Sequence, residues 1–369
     1  MTNREKFKNY VKEGGAMFAS PQIGAGAGFD AKLAGKEWLS QATFEDTRNA
    51  CKKFNMTPLY NFGMIDLGSL IGDECRWENL KSEEAGDRKY RENRLHIGKY
   101  HLDMHIMEEK IKGGFQTKYL VAEDEDFEVL DYYLDRLLEV DDFSPVTGHV
   151  KNLRKLVGED DAFDVQWCMQ PYELLCFPDT MNTAIFALEQ KDRFIKMIDK
   201  ILEIDEKLIK AVAEGGSDFV FLGGPGSEMI SPKYYEDFLV PYSKIVTSVA
   251  HQEGLLIYSH ICSPIEPMLT KGYYNQMGID LFETISPAPV GNIISLEDAF
   301  SKLSPEICTR GNIGLDKLLL CSPDEIRDIA QDIVEAAKRC GRKHILAASD
   351  YLFYDVPEEN VCAMCDVLA

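Results

Sequence analysis

The sequence predicts a (β/α)8 barrel (TIM barrel), an α/β fold in which eight parallel strands alternate with helices. Short apolar runs that end in Gly, Pro, Asn or Asp alternate with longer stretches of helical spacing. Such alternation is typical of a parallel sheet with helical crossovers. The length of 369 residues suits one barrel with an insertion. We therefore expect residues 1–369 to form a single domain.

Eight apolar runs are the predicted strands. They cover residues 17–23, 58–64, 163–169, 218–222, 255–260, 280–284, 306–311 and 344–349. Helical spacing fills most of the intervals between them, at residues 181–213, 231–252, 263–277 and 323–340. The last helix is predicted to begin at Pro323, because Ser322 before it is a favoured N-cap residue and Pro is favoured at the first helical position.

Residues 70–150 interrupt this alternation between the second and third predicted strands, and they are too long for an ordinary crossover. Residues 91–119 alternate like a hairpin, with Gly113 and Gly114 near its turn. Residues 124–138 have helical spacing and many acidic side chains. We predict an inserted hairpin and helix subdomain over one end of the barrel.

The composition excludes several classes of function. With 40 Lys+Arg against 62 Asp+Glu the net charge is −22, and such a surface repels the phosphates of nucleic acids. No apolar run is long enough to span a membrane, and the polar N-terminus lacks the apolar segment of a signal peptide. The ten cysteines have no regular spacing, which favours reduced thiols. We expect a cytoplasmic protein that binds neither nucleic acid nor membrane.

Reactive side chains occur where the predicted strands end, which is where active sites of such barrels lie. His260 and Cys262 end the fifth strand, and a spacing of two puts both side chains on one face. Imidazole and thiolate are preferred zinc ligands. Glu283 and Asp350 lie at the ends of the sixth and eighth strands, so the four residues together could bind one Zn²⁺ tetrahedrally. The alternative interpretation is a buried cysteine beside a polar histidine, with no metal.

Apolar side chains on two predicted strands are candidate contacts for an aromatic substrate. They are Tyr60, Phe62, Met64, Trp167 and Met169. Together they could form an apolar slot for a ring, although ordinary core packing would give the same pattern. Gln22, near the end of the first predicted strand, could donate a hydrogen bond to a substrate oxygen.

Glu228 follows the glycine-rich turn Gly-Gly-Pro-Gly after the fourth predicted strand, and it is a candidate catalytic carboxylate together with Asp350. The alternative role for Glu228 is in the start of the next helix, since Ser231 and Pro232 are a typical helix start.

The segments around these strand ends resemble the uroporphyrinogen decarboxylase superfamily, and within it the zinc- and cobalamin-dependent methyltransferases. The matching stretches are residues 223–244, 254–263, 278–293, 310–319 and 344–364. In that branch the zinc ligands are a His-x-Cys, a Glu and a Cys. The resemblance assigns the first three to His260, Cys262 and Glu283, and it places Asp350 where the last Cys would stand.

Exchanging a thiolate for a carboxylate makes the metal harder and more electrophilic, which suits an ether oxygen better than a thiol. The chain resembles the first methyltransferase of corrinoid-dependent ether O-demethylases. The resemblance implies an enzyme that binds Zn²⁺, cleaves a methyl ether of a methoxylated aromatic, and transfers the methyl group to Co(I). That cobalt belongs to the corrinoid (cobalamin) cofactor of a partner protein.

Two other functions remain open at this stage. One is a methylcobamide:thiol methyltransferase, in which zinc binds the thiol acceptor. The other is a uroporphyrinogen decarboxylase-like barrel without metal. The Arg-rich N-terminal signature of the true decarboxylases is missing from residues 17–30, where the sequence reads MFASPQIGAGAGFD.

Overall fold

A computed structural model of the chain describes residues 1–63, 66–165 and 170–368. The strands in this part of the chain are β1 Leu59–Phe62, β2 Cys75–Ala85, β3 Arg88–Ile97, β4 Tyr100–Glu109, β5 Gly113–Lys118, β6 Ala162–Val165, β7 Phe219–Phe221, β8 Leu256–His260, β9 Leu281–Thr284, β10 Cys308–Ile313 and β11 His344–Ala348. Seven of them form one parallel sheet in the order β1-β6-β7-β8-β9-β10-β11. The sheet is curled, and the fold is an α/β fold that resembles a TIM barrel.

Helices connect these strands. They are α1 Asn3–Glu13, α2 Phe29–Leu33, α3 Phe44–Lys53, α4 Gly68–Ile71, α5 Asp126–Leu138, α6 Ser144–Val157, α7 Thr180–Glu189, α8 Lys191–Gly215, α9 Pro232–Tyr234, α10 Val240–Gln252, α11 Glu266–Thr270, α12 Leu296–Lys302, α13 Leu315–Leu320, α14 Pro323–Arg339 and α15 Glu358–Asp366. Ser322 caps α14 as predicted, because its side chain accepts a hydrogen bond from the N–H of Glu325. No helix in the described ranges is long and apolar enough to cross a membrane.

Two predicted helices differ from the structure. Residues 181–213 form two helices, α7 and α8, because Gln190 between them has a non-helical backbone. Residues 263–277 contain only the short α11 and a 3₁₀ turn at Tyr274–Gln276. This segment includes Pro264, Pro267 and Gly272, which disfavour a longer helix.

The first predicted strand, residues 17–23, is reduced to a single β-bridge. Ala19 pairs in parallel with Leu346 of β11, and the N–H of Ser20 donates to the carbonyl of Leu346 at 2.8 Å. Pro21 follows directly, and it has no N–H with which to continue the ladder. The segment therefore lies beside β11 without forming an eighth strand.

Alternation along the strands separates an inner from an outer layer. The inner layer is an apolar cluster built from alternate positions, comprising Phe18, Leu59, Ala162, Phe219, Phe221, Leu256, Tyr258, Leu281, Cys308 and Ile345. Helix α1 adds Phe7, Tyr10 and Val11 to the same cluster, and the ring of Phe7 meets that of Phe219 edge-on at 5.8 Å. The N-terminal end of the curled sheet is therefore covered by α1.

Asp218, just before β7, holds helices α1 and α6 against the N-terminal end of the sheet. Its buried carboxylate accepts hydrogen bonds from Arg4 Nε at 2.8 Å, Lys8 Nζ at 3.0 Å and Arg154 Nη2 at 2.5 Å. Burial alone would raise the pKa of Asp218, but the charges and hydrogen bonds of these cations outweigh it and lower that pKa. One carboxylate thus ties α1 and α6 to the sheet.

Between β1 and β6 the chain forms a second sheet, antiparallel, in the order β2-β3-β4-β5. It is longer than the hairpin predicted at residues 91–119, since it begins at Cys75. Leu95, Ile97 and Leu102 are buried on one face and belong to the same core cluster as Leu130 and Leu134 of α5. Residues of β2 are exposed along almost its whole length.

Replacing Asp218 with Asn should lower the free energy of unfolding by about 3 kcal/mol at neutral pH, because the cations lose their shared carboxylate. Since the pKa of Asp218 is lowered in the folded chain, its stabilisation is present above the ordinary aspartate pKa. It is lost as the pH falls through the lowered value. Urea unfolding at neutral pH and at about pH 3 should therefore show the difference between wild type and variant shrinking in acid.

The matched control is Asp160→Asn, which changes an exposed carboxylate at the same end of the sheet. It should alter the unfolding free energy by less than about 0.5 kcal/mol. An Asp218→Asn effect of equal size at both pH values would contradict the role assigned to the ionised carboxylate.

Candidate metal centre

Three side chains at the C-terminal ends of the strands form a group that could bind a metal. His260 is the last residue of β8, Cys262 follows it by two, and Asp350 follows β11 by two. One ligand atom of each lies within 4.8 Å of the other two, and His260 Nε2 is 3.2 Å from Asp350 Oδ1. In a tetrahedral zinc site neighbouring ligand atoms are roughly 3.3–3.8 Å apart. The donor set and its spacing therefore fit Zn²⁺.

The local sequence explains this placement. Leu256, Tyr258 and His260 alternate onto the inner face of β8, and Cys262 continues the same direction beyond the strand. Asp350 begins the loop after β11, where its Oδ1 accepts a hydrogen bond from the N–H of Tyr351 at 2.6 Å. All three ligand candidates are half-buried, so a substrate could still reach them.

Glu283 lies beside this group and contacts His260. The register of the parallel sheet puts His260, Glu283 and Arg310 side by side on three adjacent strands. Glu283 Oε2 is 3.2 Å from His260 Nδ1, and Glu283 Oε1 accepts a hydrogen bond from Arg310 Nη1 at 2.5 Å. Both carboxylate oxygens are thus engaged away from Cys262 and Asp350. The role of Glu283 as a fourth zinc ligand stays a prediction.

This arrangement controls the imidazole of His260. A contact at Nδ1 orients the ring and directs Nε2 towards Asp350, as carboxylates beside metal-binding histidines do. Burial by itself would lower the pKa of His260, but hydrogen bonds to Asp350, Cys262 and Glu283 raise it well above the ordinary value. Zinc binds the neutral form of imidazole, so metal binding at His260 would be coupled to loss of a proton.

Arg310 keeps Glu283 ionised. Burial alone would raise the pKa of Glu283, but the charge of Arg310 and the hydrogen bond with His260 lower it. The guanidinium is itself only 1% exposed, and its Nε donates to the carbonyl of Ser20 at 2.7 Å. Arg310 therefore links the N-terminal segment to the metal-binding group.

A second buried network lies on the inner face, formed by Asn61, Asp164 and Tyr258. Asn61 donates hydrogen bonds from its amide to Asp164 Oδ1 and to the hydroxyl of Tyr258, the latter at 3.1 Å. Burial and the charge of Glu283 raise the pKa of Asp164 well above its ordinary value, although Asn61 opposes this. The sequence prediction missed these residues. The sequence did contain one signal: Asp164 is a single carboxylate within the otherwise apolar strand β6.

Tyr60 and Phe62 lie on the outer face of β1, on the opposite side from Asn61. The ring of Phe44 in α3 lies 4.9 Å from that of Tyr60 and 5.5 Å from that of Phe62. Both residues thus pack between the sheet and a helix, and the structure does not bring them to the metal-binding group. The other predicted apolar contacts, Met64, Trp167 and Met169, lie outside the described residues.

Gln22 and Glu228 occupy different environments. Gln22 is buried, and its carbonyl accepts a hydrogen bond from the N–H of Leu352, two residues beyond Asp350. Glu228 is exposed, and its carboxylate packs against Gly226 close to Ser263. The contact requires glycine at position 226, because a Cβ there would lie only 2.1 Å from Glu228 Oε2. The cap of α9 is Ser231, whose side chain accepts from the N–H of Tyr234. Glu228 is therefore free of that structural role.

Comparisons with known proteins identify the family of this chain. The profile of the uroporphyrinogen decarboxylase (URO-D) family matches residues 172–369, more than half of the chain. The chain belongs to this family. All three ligand candidates fall within the matched range, so the URO-D region contains the whole group. The superfamily expected from the sequence is confirmed.

Individual relatives are distant. The uroporphyrinogen decarboxylase of Parasynechococcus marenigrum is 25% identical over 241 residues, which cover 62% of this chain and 64% of that protein. That of Prochlorococcus marinus is 24% identical over 220 residues, which cover 56% and 58%. The matches thus span about three fifths of the length of these curated relatives. A methyltransferase from Methanosarcina mazei has the same fold, with a TM-score of 0.66, 14% identity and coverage of 100% and 98%.

Replacing Glu283 with Gln should weaken zinc binding by about 10- to 100-fold, because the partner of His260 Nδ1 loses its charge. Competition with a chromophoric chelator measures the affinity, and metal analysis of the saturated protein should still find one zinc per chain. The control is Glu266→Gln, since Glu266 binds Lys302 and lies outside the group of three. An affinity equal to that of wild type would contradict the positioning role of Glu283.

Proposed function

We propose that this protein is a zinc-dependent methyltransferase that cleaves a methyl ether, and that the ether is a methoxylated aromatic. The methyl group passes to Co(I) of a separate corrinoid protein, which acts as the second substrate. The observation that carries the proposal is the carboxylate of Asp350 within the His-Cys-Asp group. A site with one thiolate and one carboxylate is harder than a sulfur-rich site.

His260, Cys262 and Asp350 would hold the zinc ion. When bound, it would supply Lewis-acid polarisation of the ether oxygen. Glu283 and Arg310 support the site by keeping the imidazole of His260 in one orientation. This pre-organisation matters because a misaligned ligand would place the ether at the wrong distance from the methyl acceptor.

The leaving oxygen keeps the electron pair of the broken C–O bond and needs a proton to depart as a hydroxyl group. Glu228 is suited to supply it, because its exposed carboxylate lies at the rim beside Ser263, one residue beyond Cys262. We assign Glu228 the transfer of this proton from solvent to the leaving oxygen.

The fold contributes two further features to the proposal. The bridge between Ala19 and Leu346 supports a position in which residues 17–23 complete a single TIM barrel without regular strand pairing. Residues 70–150, which contain the antiparallel sheet and α5, are proposed as an inserted subdomain. Gly113 at the start of β5 approaches the carbonyl of Gly26, which supports a position of this subdomain next to the loop after Gln22.

Decarboxylation is the second candidate, favoured by the names of the curated relatives. Uroporphyrinogen is a polycarboxylate and needs cations to bind it. Residues 17–30 contain no arginine. In the seven described strands of the parallel sheet the one basic residue among arginine and lysine is Arg310, and it binds Glu283. These observations favour the methyltransferase.

Replacing Asp350 with Cys should lower the rate of methyl transfer from a methoxyaromatic by roughly tenfold or more, because a second thiolate makes the metal less electrophilic. Formation of methyl-cobalt on a reduced corrinoid protein, followed by visible absorption, measures the rate. The control is Asp355→Cys, an exposed carboxylate in the same loop.

Unchanged ether turnover in Asp350→Cys would refute the hard-metal argument, and a gain in thiol methylation would favour the thiol methyltransferase. Metal analysis of the purified protein distinguishes both methyltransferases from a barrel that binds no metal. Less than about half an equivalent of zinc per chain after loading would favour the metal-free decarboxylase-like barrel.

A further inference from the structure

Three buried side chains on the inner face have polar atoms without a hydrogen-bond partner among the described residues. They are Ser20 Oγ, both amide atoms of Gln22, and Asp164 Oδ2. Each of these residues is at most 1% exposed. A buried polar atom without a partner is rare and costly, so these atoms are positions where a bound polar group would be stabilised.

The three residues lie on the inner face of the curled sheet. Ser20 and Gln22 alternate with Phe18, and Asp164 alternates with Ala162, and both of these apolar residues belong to the inner cluster. The N-terminal segment is adjacent to β11 through Ala19, and Asp164 contacts Tyr258 of β8 through Asn61. The unpaired atoms thus come from two sides of the interior.

Contacts connect this space to the metal-binding group. The carbonyl of Ser20 accepts from Arg310, which in turn binds Glu283, the partner of His260. The carbonyl of Gln22 accepts from the N–H of Leu352, close to Asp350 in sequence. These contacts link the backbone of Ser20 and Gln22 to the metal-binding group and to the loop that carries Asp350.

The charges of the interior favour an uncharged ligand. Arg310 is the one arginine or lysine within the seven parallel strands as the structure describes them, and Glu283 and the Ser20 carbonyl occupy it. Glu283 is balanced by Arg310, and the two anionic ligands Cys262 and Asp350 would balance the charge of a bound Zn²⁺. An anionic group would therefore enter without a free cation to balance it.

The unpaired atoms include donors and acceptors. The amide of Gln22 offers both, and so does the hydroxyl of Ser20. Burial raises the pKa of Asp164, which favours the protonated carboxyl that can donate. A hydroxyl group, which both donates and accepts, matches this set, whereas a carboxylate only accepts.

We propose that Ser20, Gln22 and Asp164 form a subsite for an uncharged hydroxyl group of the substrate. The enzyme would then select neutral methoxyphenols over methoxybenzoates. The identity of the ligand as a methyl ether rests on the proposed function, but the preference for a neutral hydroxyl follows from the interior itself.

The test is calorimetric titration of the zinc-loaded full chain with 2-methoxyphenol, 2-methoxybenzoate and methoxybenzene. We expect 2-methoxyphenol to bind about tenfold or more tightly than the other two, since it alone satisfies the polar atoms without adding charge. Equal or tighter binding of 2-methoxybenzoate would overturn the proposal, and so would the absence of any binding by 2-methoxyphenol.

Gln22→Leu, which nearly conserves side-chain volume, should reduce the preference for 2-methoxyphenol over methoxybenzene to less than about threefold. The control is Gln116→Leu on the exposed β5, which should keep the wild-type preference. Thermal unfolding of each variant establishes that it is folded. A folded Gln22→Leu protein with the wild-type preference would refute the subsite.

A second variant is independent of the stability of Gln22→Leu. Asp164→Leu removes the carboxyl with little change of side-chain size, so it should also reduce the preference to less than about threefold. A folded Asp164→Leu protein with the wild-type preference would exclude Asp164 from the subsite. These titrations use no corrinoid protein. Selective binding without methyl transfer would therefore refute the proposed reaction and leave the subsite intact.

Discussion

The buried ion pair between Glu283 and Arg310 is the interaction on which the centre of this molecule depends. Each residue is 1% exposed, and such a pair is stable only when its remaining hydrogen-bonding capacity is used. Here Glu283 uses its second oxygen on His260, and Arg310 uses Nε on the carbonyl of Ser20. Breaking the pair would release the imidazole and the N-terminal segment together. The ion pair therefore sets the geometry of the metal-binding group and of the polar subsite alike.

Much of the fold and part of the site follow from the sequence. Apolar runs locate seven parallel strands because each run is bounded by turn residues. His260, Cys262 and Asp350 lie at or just beyond strand ends, where the curled sheet brings them together. The predictions that differ from the structure also have physical causes. The first predicted strand has the composition of a strand, but the missing N–H of Pro21 limits it to one bridge.

Other predictions failed because the sequence does not show which face of a strand points inward. Tyr60 and Phe62 look like ligand contacts because they are aromatic, yet a parallel strand covered on both sides is apolar on both, so composition alone does not tell which face is inside. The pairing of Glu283 with Arg310 depends on the register between β9 and β10, which no local pattern encodes. Asn61 and Asp164 were missed for the same reason, since their contact is made across strands.

Helix α1 covers one end of the curled sheet. Phe7, Tyr10 and Val11 close the N-terminal end of the curled sheet, and Asp218 fastens that closure. The metal-binding group lies at the other end, so under the proposed function we expect the small molecule and the corrinoid protein to approach it from the same side. For the proposed reaction this imposes a sequence of events: the ether enters first, the larger partner then covers the opening, and the demethylated product leaves after that partner has departed. The architecture thus favours an ordered kinetic mechanism over a random one.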